Sequence, residues 1–277
     1  MEIWNHFTFR EDLHPMLSRY VKNNGIKYES GDILCAVDIS ENDPRWKTVE
    51  QLLKAEKNSF RSETKFTKPE LLNAEWLTLR SQWYYDYPQP ENGYTNITYT
   101  DEYRCDHSDC NIGRVQKDCF RFKRTPKWGR RNFCMTNWVY DELFVSSKAK
   151  EMLDSSGLKG FDYLEVKNKS GKETLNDVYQ MKISFVIPEA IIDSSGYIRE
   201  IFDCPLCGKQ KFLLSGRGQL VLNRKALEGA LDFVKSAEYF GSGGIASKLI
   251  FVSQDVYRFI TENKLDSSLV FEPVKLV

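Results

Sequence analysis

The segment Cys204-Pro205-Leu206-Cys207-Gly208 restricts the fold more than any other stretch of the chain. Two thiols separated by two residues, in a tight turn shaped by Pro205 and Gly208, can reach one tetrahedral metal ion, and such pairs commonly ligate structural zinc. Tyr197-Ile-Arg-Glu-Ile-Phe before the turn and Lys211-Phe-Leu-Leu after it read as short strands. Together they form half of a zinc ribbon, which needs a second ligand pair.

Cys105-Asp106-His107-Ser108-Asp109-Cys110, followed by Gly113, is the natural second pair. A site of Cys105, Cys110, Cys204 and Cys207 closes the coordination sphere of Zn2+, leaves no position for a reactive water, and is therefore structural. His107 is an alternative ligand within the first pair, and Cys119 and Cys134 are reserve ligands. Cys35, inside Ile33-Leu34-Cys35-Ala36-Val37, reads as a buried small hydrophobe. An odd count of 7 cysteines, with no export signal in the first residues, favours metal binding over a disulfide framework. The expected location is cytoplasmic, and no apolar run is long enough to span a membrane.

In the N-terminal region, Ile26 to Glu29 and Asp32 to Ile39 flank Ser30-Gly31 as a hairpin. Asp43-Pro44 reads as a helix start with Trp46, Val49, Leu52 and Leu53 on one face. Pro69 starts a second helix that groups Leu72, Trp76 and Leu79. Trp83-Tyr84-Tyr85-Asp86-Tyr87-Pro88-Gln89-Pro90 reads as an extended aromatic segment packed over a domain junction, with a stacking surface for a ligand as the alternative.

Acidic and basic residues number 39 each, so no global field steers nucleic acid or anionic membrane to the molecule. Charge is local. Between Arg114 and Arg131 lie eight basic residues and one acid, Asp118, and Phe120 and Phe122 alternate with Arg121 and Lys123 as on a strand. A zinc-ribbon nucleic-acid binder would use Arg121, Lys123, Arg124, Lys127, Arg130 and Arg131 on phosphates, with Phe120, Phe122 and Trp128 stacking on bases. The favoured alternative is a solvated sheet face balanced by Asp101, Glu102, Asp106, Asp109, Asp141 and Glu142.

An internal repeat aligns Phe144 to Lys167 with Phe251 to Lys275, each opening on Phe-Val-Ser. Ser146 and Ser253 are placed to cap helices whose apolar stripes are Ala149, Met152, Leu153 and Val256, Phe259, Ile260. Tyr163-Leu164-Glu165-Val166 then matches Phe271-Glu272-Pro273-Val274 as a following strand. Gly241-Ser242-Gly243-Gly244, lacking the ending of a phosphate-binding loop, is expected to be a flexible insertion. Tyr179, Met181, Ile183, Phe185 and Ile187 alternate with Gln180, Lys182 and Ser184 as a half-buried strand between the copies. The expected fold class is α+β: an N-terminal mixed region (1–100), then two pseudo-repeated β-rich modules with short helices (101–190 and 191–277) that share a zinc-ribbon-like site.

Cys204-Pro-Leu-Cys207-Gly208, Phe144-Val-Ser, Phe251-Val-Ser and Phe271-Glu-Pro-Val together resemble the double-CXXCG motif family of bacterial proteins, over roughly Asp101 to Val277. The first pair departs from that pattern, with four residues between its cysteines instead of two. Lys127-Trp128-Gly129-Arg130-Arg131 and Asn137-Trp138-Val139-Tyr140-Asp141-Glu142 also look like a group of bacterial proteins of similar layout. Similar Val-Ser-helix modules occur in families proposed to be immunity proteins for bacterial toxins, so the resemblance implies a binding protein more than a catalyst.

The catalytic signatures that a sequence can display are not found: His6, His14 and His107 are scattered, and there is no His-Glu-x-x-His, Gly-x-Ser-x-Gly or phosphate-binding loop. The expected function is a cytoplasmic protein-binding protein, as an immunity protein occluding a toxin, and not an enzyme. Its candidate contacts are Trp83, Tyr84, Tyr85, Tyr87 and the basic segment from Arg121 to Arg131. The alternatives are the nucleic-acid binder above and an enzyme with a dispersed carboxylate site.

Overall fold

The computed structural model describes residues 1–100, 105, 107–192 and 196–277. Asp101, Glu102 and Asp106, three of the acids expected to balance the basic segment, lie outside the described residues. The fold is α+β, mostly strands with short helices.

Residues 1–65 have their own core. Strands Glu2–Phe9, Cys35–Ser40 and Arg61–Lys65 pair antiparallel around Glu2–Phe9. Their alternation turns Phe7, Phe9, Val37 and Ile39 onto helices Pro15–Asn23 and Trp46–Ala55, which supply Leu17, Val21, Trp46, Val49 and Leu53. The expected hairpin is present with its turn moved along the chain: Ser30 pairs with Cys35, and the Gly31 N–H donates to the Leu34 carbonyl. Cys35 is buried, as expected. The helix begins at Trp46 instead of Pro44, because the Asp43 carboxylate holds the preceding turn by accepting from the Arg45 N–H at 2.9 Å.

The helix opened by Pro69, Lys68–Asn73, is shorter than expected. Thr67 and Glu70 form a reciprocal cap at its start, and Ala74 is already extended. Leu72 is exposed, while Trp76 and Leu79 belong to strand Trp76–Ser81. The spacing of these three residues fits a helix face, but Leu77, Thr78, Leu79 and Ser81 are all buried, as in a strand covered on both sides. Trp76–Ser81 pairs antiparallel with Ile250–Ser253 on one side and Leu269–Pro273 on the other, and Phe233–Lys235 lies beyond Ile250–Ser253. A strand from before residue 100 thus sits inside a sheet whose other strands all follow residue 230.

A second sheet has the order Arg121–Phe122, Asp162–Asn168, Thr174–Lys182, Val139–Val145, Phe133–Thr136. The strand expected to run on to Ile187 ends at Lys182; Ile183 and Ile187 are buried and Phe185 is exposed. Gln180, expected to face out, is fully buried and donates to Glu142 Oε2 at 2.8 Å. The Glu142 carboxylate on the neighbouring strand and the Gln116 side-chain amide remove the desolvation cost that strict alternation assumes.

The two sheets share a register. Cys134, Phe144, Gln180 and Leu164 lie side by side across one, and Val234, Phe251, Thr78 and Glu272 across the other. A parallel partner lies at the margin of the first sheet, Arg121 beside Lys167, and a separate two-stranded parallel sheet, with Val221 beside Lys275, follows strand Leu269–Pro273. Helix Ser147–Asp154 follows the first Phe-Val-Ser and helix Gln254–Glu262 the second. Ser146 caps its helix by accepting from the Ala149 N–H at 3.2 Å. Ser253 does not cap with its side chain, because its hydroxyl donates to Asp232 at 2.8 Å.

One apolar cluster between the sheets joins Leu143, Val145, Met181 and Leu153 to Leu77, Leu79, Val252 and Ile260. The opposite faces are packed separately, one with Phe122, Cys134, Phe144 and Val166, the other with Leu222, Val234, Phe251 and Val274. Gly160 fixes the approach of the halves: it has φ +106, and a Cβ there would lie 2.3 Å from the Phe233 carbonyl oxygen. Among the described residues no helix is long and apolar enough to cross a membrane.

Candidate metal centre

Strands Ile198–Asp203 and Gln210–Leu214 pair antiparallel, with Asp203 opposite Gln210, and close the expected hairpin around Cys204 to Gly208. The turn is held by two backbone bonds, Cys204 N–H to the Lys209 carbonyl at 2.9 Å and Gly208 N–H to the Cys204 carbonyl at 2.8 Å. Gly208 has φ +69, which a residue with a side chain rarely adopts. Across from it, the Cys110 N–H donates to the His107 carbonyl at 3.0 Å and tightens the first loop.

The four cysteines named from sequence converge. Cys105 Sγ lies 3.6 Å from Cys204 Sγ, Cys110 Sγ lies 3.7 Å from Cys207 Sγ, and all four sulfurs fall within 4.8 Å of one another. Tetrahedral zinc with Zn–S bonds of roughly 2.3 Å requires sulfurs about 3.8 Å apart. The geometry therefore fits a four-thiolate ion, and the group can hold a metal. Cys110 and Cys204 are buried, Cys105 is half-buried and Cys207 faces solvent. Burial pushes the Cys110 thiol up to about 12. Burial acts the same way on Cys204, but the N–H groups of Cys207 and Leu206 and the neighbouring thiols outweigh it and bring that thiol down to about 6. A bound cation would hold all four sulfurs as thiolates.

His107 is turned elsewhere: its Nδ1 accepts from the Asp109 N–H at 3.2 Å, and its ring packs near Phe202. Cys119 approaches Glu165, and Cys134 is buried in the outer packing of the first sheet, so neither joins the four sulfurs.

Lys211 was not anticipated as part of this centre. It is 1% exposed, and its Nζ donates to the carbonyls of Asp109, Gly243 and Ile245. Burial lowers its pKa, and Cys110, Asp109 and Cys204 oppose that; four thiolates around one Zn2+ would carry a net charge of about −2 and favour the ammonium further. The available signal was a lysine at an inward position of the strand after the Cys-x-x-Cys-Gly turn. Lys211 also ties down the glycine run expected to be a flexible insertion, and Asn111 Nδ2 donates to the Gly244 carbonyl at 2.7 Å.

The candidate contact segments are brought together. Tyr85 donates to the Arg124 carbonyl at 2.9 Å, Lys123 lies 3.3 Å from Asp86, and the Arg131 guanidinium lies 4.5 Å from the Trp83 ring centre. Trp83 and Tyr85 pack into the outer face of the first sheet, Tyr87 against Trp138, and Tyr84 is exposed beside Tyr140. Lys123, Arg124, Lys127, Arg130 and Arg131 are exposed, and Arg121 is half-buried beside Asp118. Phe120, Phe122 and Trp128, expected to stack on bases, are buried instead; the Trp128 Nε1–H donates to the Asp177 carbonyl at 2.7 Å. Alternation does place charged and apolar residues on opposite faces there, but the apolar face meets Phe144.

No family model matches the chain, and no curated protein matches it.

Proposed function

We propose that this chain is a zinc-stabilised binding protein that holds a protein partner, as an immunity protein holds a toxin, and does not turn over a substrate. The convergence of Cys105, Cys110, Cys204 and Cys207 from two distant loops carries this reading. Zn2+ held by those four thiolates would contribute folding free energy and no open coordination position. The shared register of the two sheets supports a duplicated module, with Trp76–Ser81 taking in the second copy the place that Thr174–Lys182 takes in the first. Each copy gives one cysteine pair to a zinc-ribbon-like centre, and the clamped pair forms a rigid platform.

The partner surface is the exposed basic strip Lys123, Arg124, Lys127, Arg130 and Arg131, with Tyr85 bonded to the Arg124 carbonyl, and the exposed Tyr84 as a further contact. Arginine and tyrosine in such a strip suit an acidic protein face. A base-stacking role is not favoured, because the rings it needs are buried. The test is co-expression with the product of the neighbouring reading frame, followed by pull-down and a growth assay. Association, relief of any toxicity, and at least a tenfold loss of affinity in Arg130→Glu/Arg131→Glu are expected. No association and no protection, with nothing recovered in unbiased pull-downs, would refute the proposal.

A further inference from the structure

A cleft of about 910 Å³ opens between the two sheets, beside the loops of the metal centre. Its size is in the range that takes a small-molecule ligand. Strands Val139–Val145 and Phe233–Lys235 supply its floor, and the loops carrying Asn111, Gly113 and Gly244 form part of its wall.

The floor is polar and buried. Lys235, 5% exposed, has its Nζ 2.7 Å from Glu142 Oε1, and Gln180 donates to the other carboxylate oxygen at 2.8 Å. Asp141 accepts from the Lys248 N–H at 3.3 Å. Both acids therefore already have partners, Glu142 in Lys235 itself, while Arg114, Lys182, Lys209 and Lys248 also line the space. Beyond its 3.9 Å approach to Glu142, Lys182 is bonded to the neutral Gln116 side chain at 3.0 Å, and Lys248 Nζ rests on the Ser236 and Ala237 carbonyls. Positive charge exceeds negative in a partly dry site, where an entering anion would be poorly screened.

The mouth is aromatic and strained. Trp138 has φ +69, a conformation costly for a bulky residue, and yet it stays 42% exposed. Its ring stacks on Tyr94 with 21° between the planes and packs against Tyr87, whose ring centre lies 4.5 Å away, next to Tyr99 along the same wall; the exposed part of the indole is what a ligand can meet. Strain of this kind persists where the surrounding structure enforces it, and an exposed indole at a cationic mouth is a platform for a planar group.

We propose that this cleft binds a small anion bearing a planar ring, up to nucleotide size, with the ring against Trp138 and the anionic group towards Lys182 and Lys248. Calorimetry of the zinc-loaded full chain with AMP, ADP and 4-hydroxybenzoate tests it, with adenosine and inorganic phosphate as partial ligands. At least one ring-bearing anion should bind saturably, and the matching neutral ring or bare anion at least tenfold more weakly; AMP or ADP against 4-hydroxybenzoate distinguishes phosphate from carboxylate. Trp138→Gly suits the local backbone, which offsets part of the loss of its contacts with Tyr87 and Tyr94, so the protein should remain folded while affinity falls tenfold or more. Lys182→Met should lower affinity for the anion by roughly tenfold and leave binding of the neutral ring unchanged. No binding by any of the three anions, equal binding of adenosine and AMP, or wild-type affinity in both variants would overturn the proposal.

Discussion

Lys235 Nζ and Glu142 Oε1 meet at 2.7 Å with both side chains buried, and this ion pair ties the strand Phe233–Lys235 to the strand Val139–Val145 of the other sheet. Burial alone would discharge the lysine, but the carboxylates of Glu142 and Asp141 hold its ammonium above the usual lysine range.

Breaking one side of such a pair leaves an uncompensated charge in a low-dielectric site, at a cost of about 3–5 kcal/mol. Glu142→Gln should therefore lower the urea midpoint strongly. Adding Lys235→Met to it should recover part of the loss, because neither member of the pair is then charged without its partner, while Asp141 loses the ammonium that also faces it. A single variant as stable as the wild type would show that water reaches the pair.

The metal centre makes a separate prediction. Purified chain should carry one zinc, and Cys204→Ser or Cys207→Ser should lose it together with folding free energy on the order of 10 kcal/mol, appearing as insoluble protein. His107→Ala should retain the metal, since Nδ1 is engaged with the Asp109 N–H, whereas Cys105→Ser should not. Elemental analysis with circular dichroism decides: a well-folded, metal-free wild type contradicts the site.

The cysteine positions were legible because ligand spacing is a local property: Cys204 and Cys207 announce a turn, and few other pairs could complete it. Lys211 was not, because its three carbonyl acceptors come from loops distant in sequence. The hairpin around Gly208 and the helices after Ser146 and Ser253 were likewise local. Trp76–Ser81 was misread because Leu72, Trp76 and Leu79 satisfy a helical period, while the evidence for a central strand is its two neighbours, both beyond residue 249. Gln180 shows the same limit, since its burial depends on Gln116 and Glu142, which alternation within one strand cannot reveal.

Equivalent register predicts equivalent energetics. Phe144 and Phe251 are both fully buried on the outer faces of their sheets, so Phe144→Ala and Phe251→Ala should each cost about 3–5 kcal/mol. Cys134 stands beside Phe144 where Val234 stands beside Phe251. Cys134→Val should accordingly cost less than about 1.5 kcal/mol, measured by denaturant unfolding. A cost as large as that of Phe144→Ala would argue against the equivalence.

The N-terminal unit should carry its own acid sensitivity. Arg45 grips Asp43 with two bonds, Nε to Oδ1 at 2.8 Å and Nη2 to Oδ2 at 2.5 Å, at the turn before helix Trp46–Ala55. This pairing brings the Asp43 carboxyl from 3.8 to about 2. A folded-state value below the unfolded one means that the unfolded chain takes up the proton first. The stabilisation is then complete above about pH 4 and disappears as the pH falls towards 2. Because the pair is partly solvated, about 1 kcal/mol is the expected size. Asp43→Asn should lose that amount at neutral pH and match the wild type near pH 2, as followed by the unfolding of residues 1–65 in hydrogen exchange. An equal difference between the two proteins at both pH values would show that the ion pair is not its source.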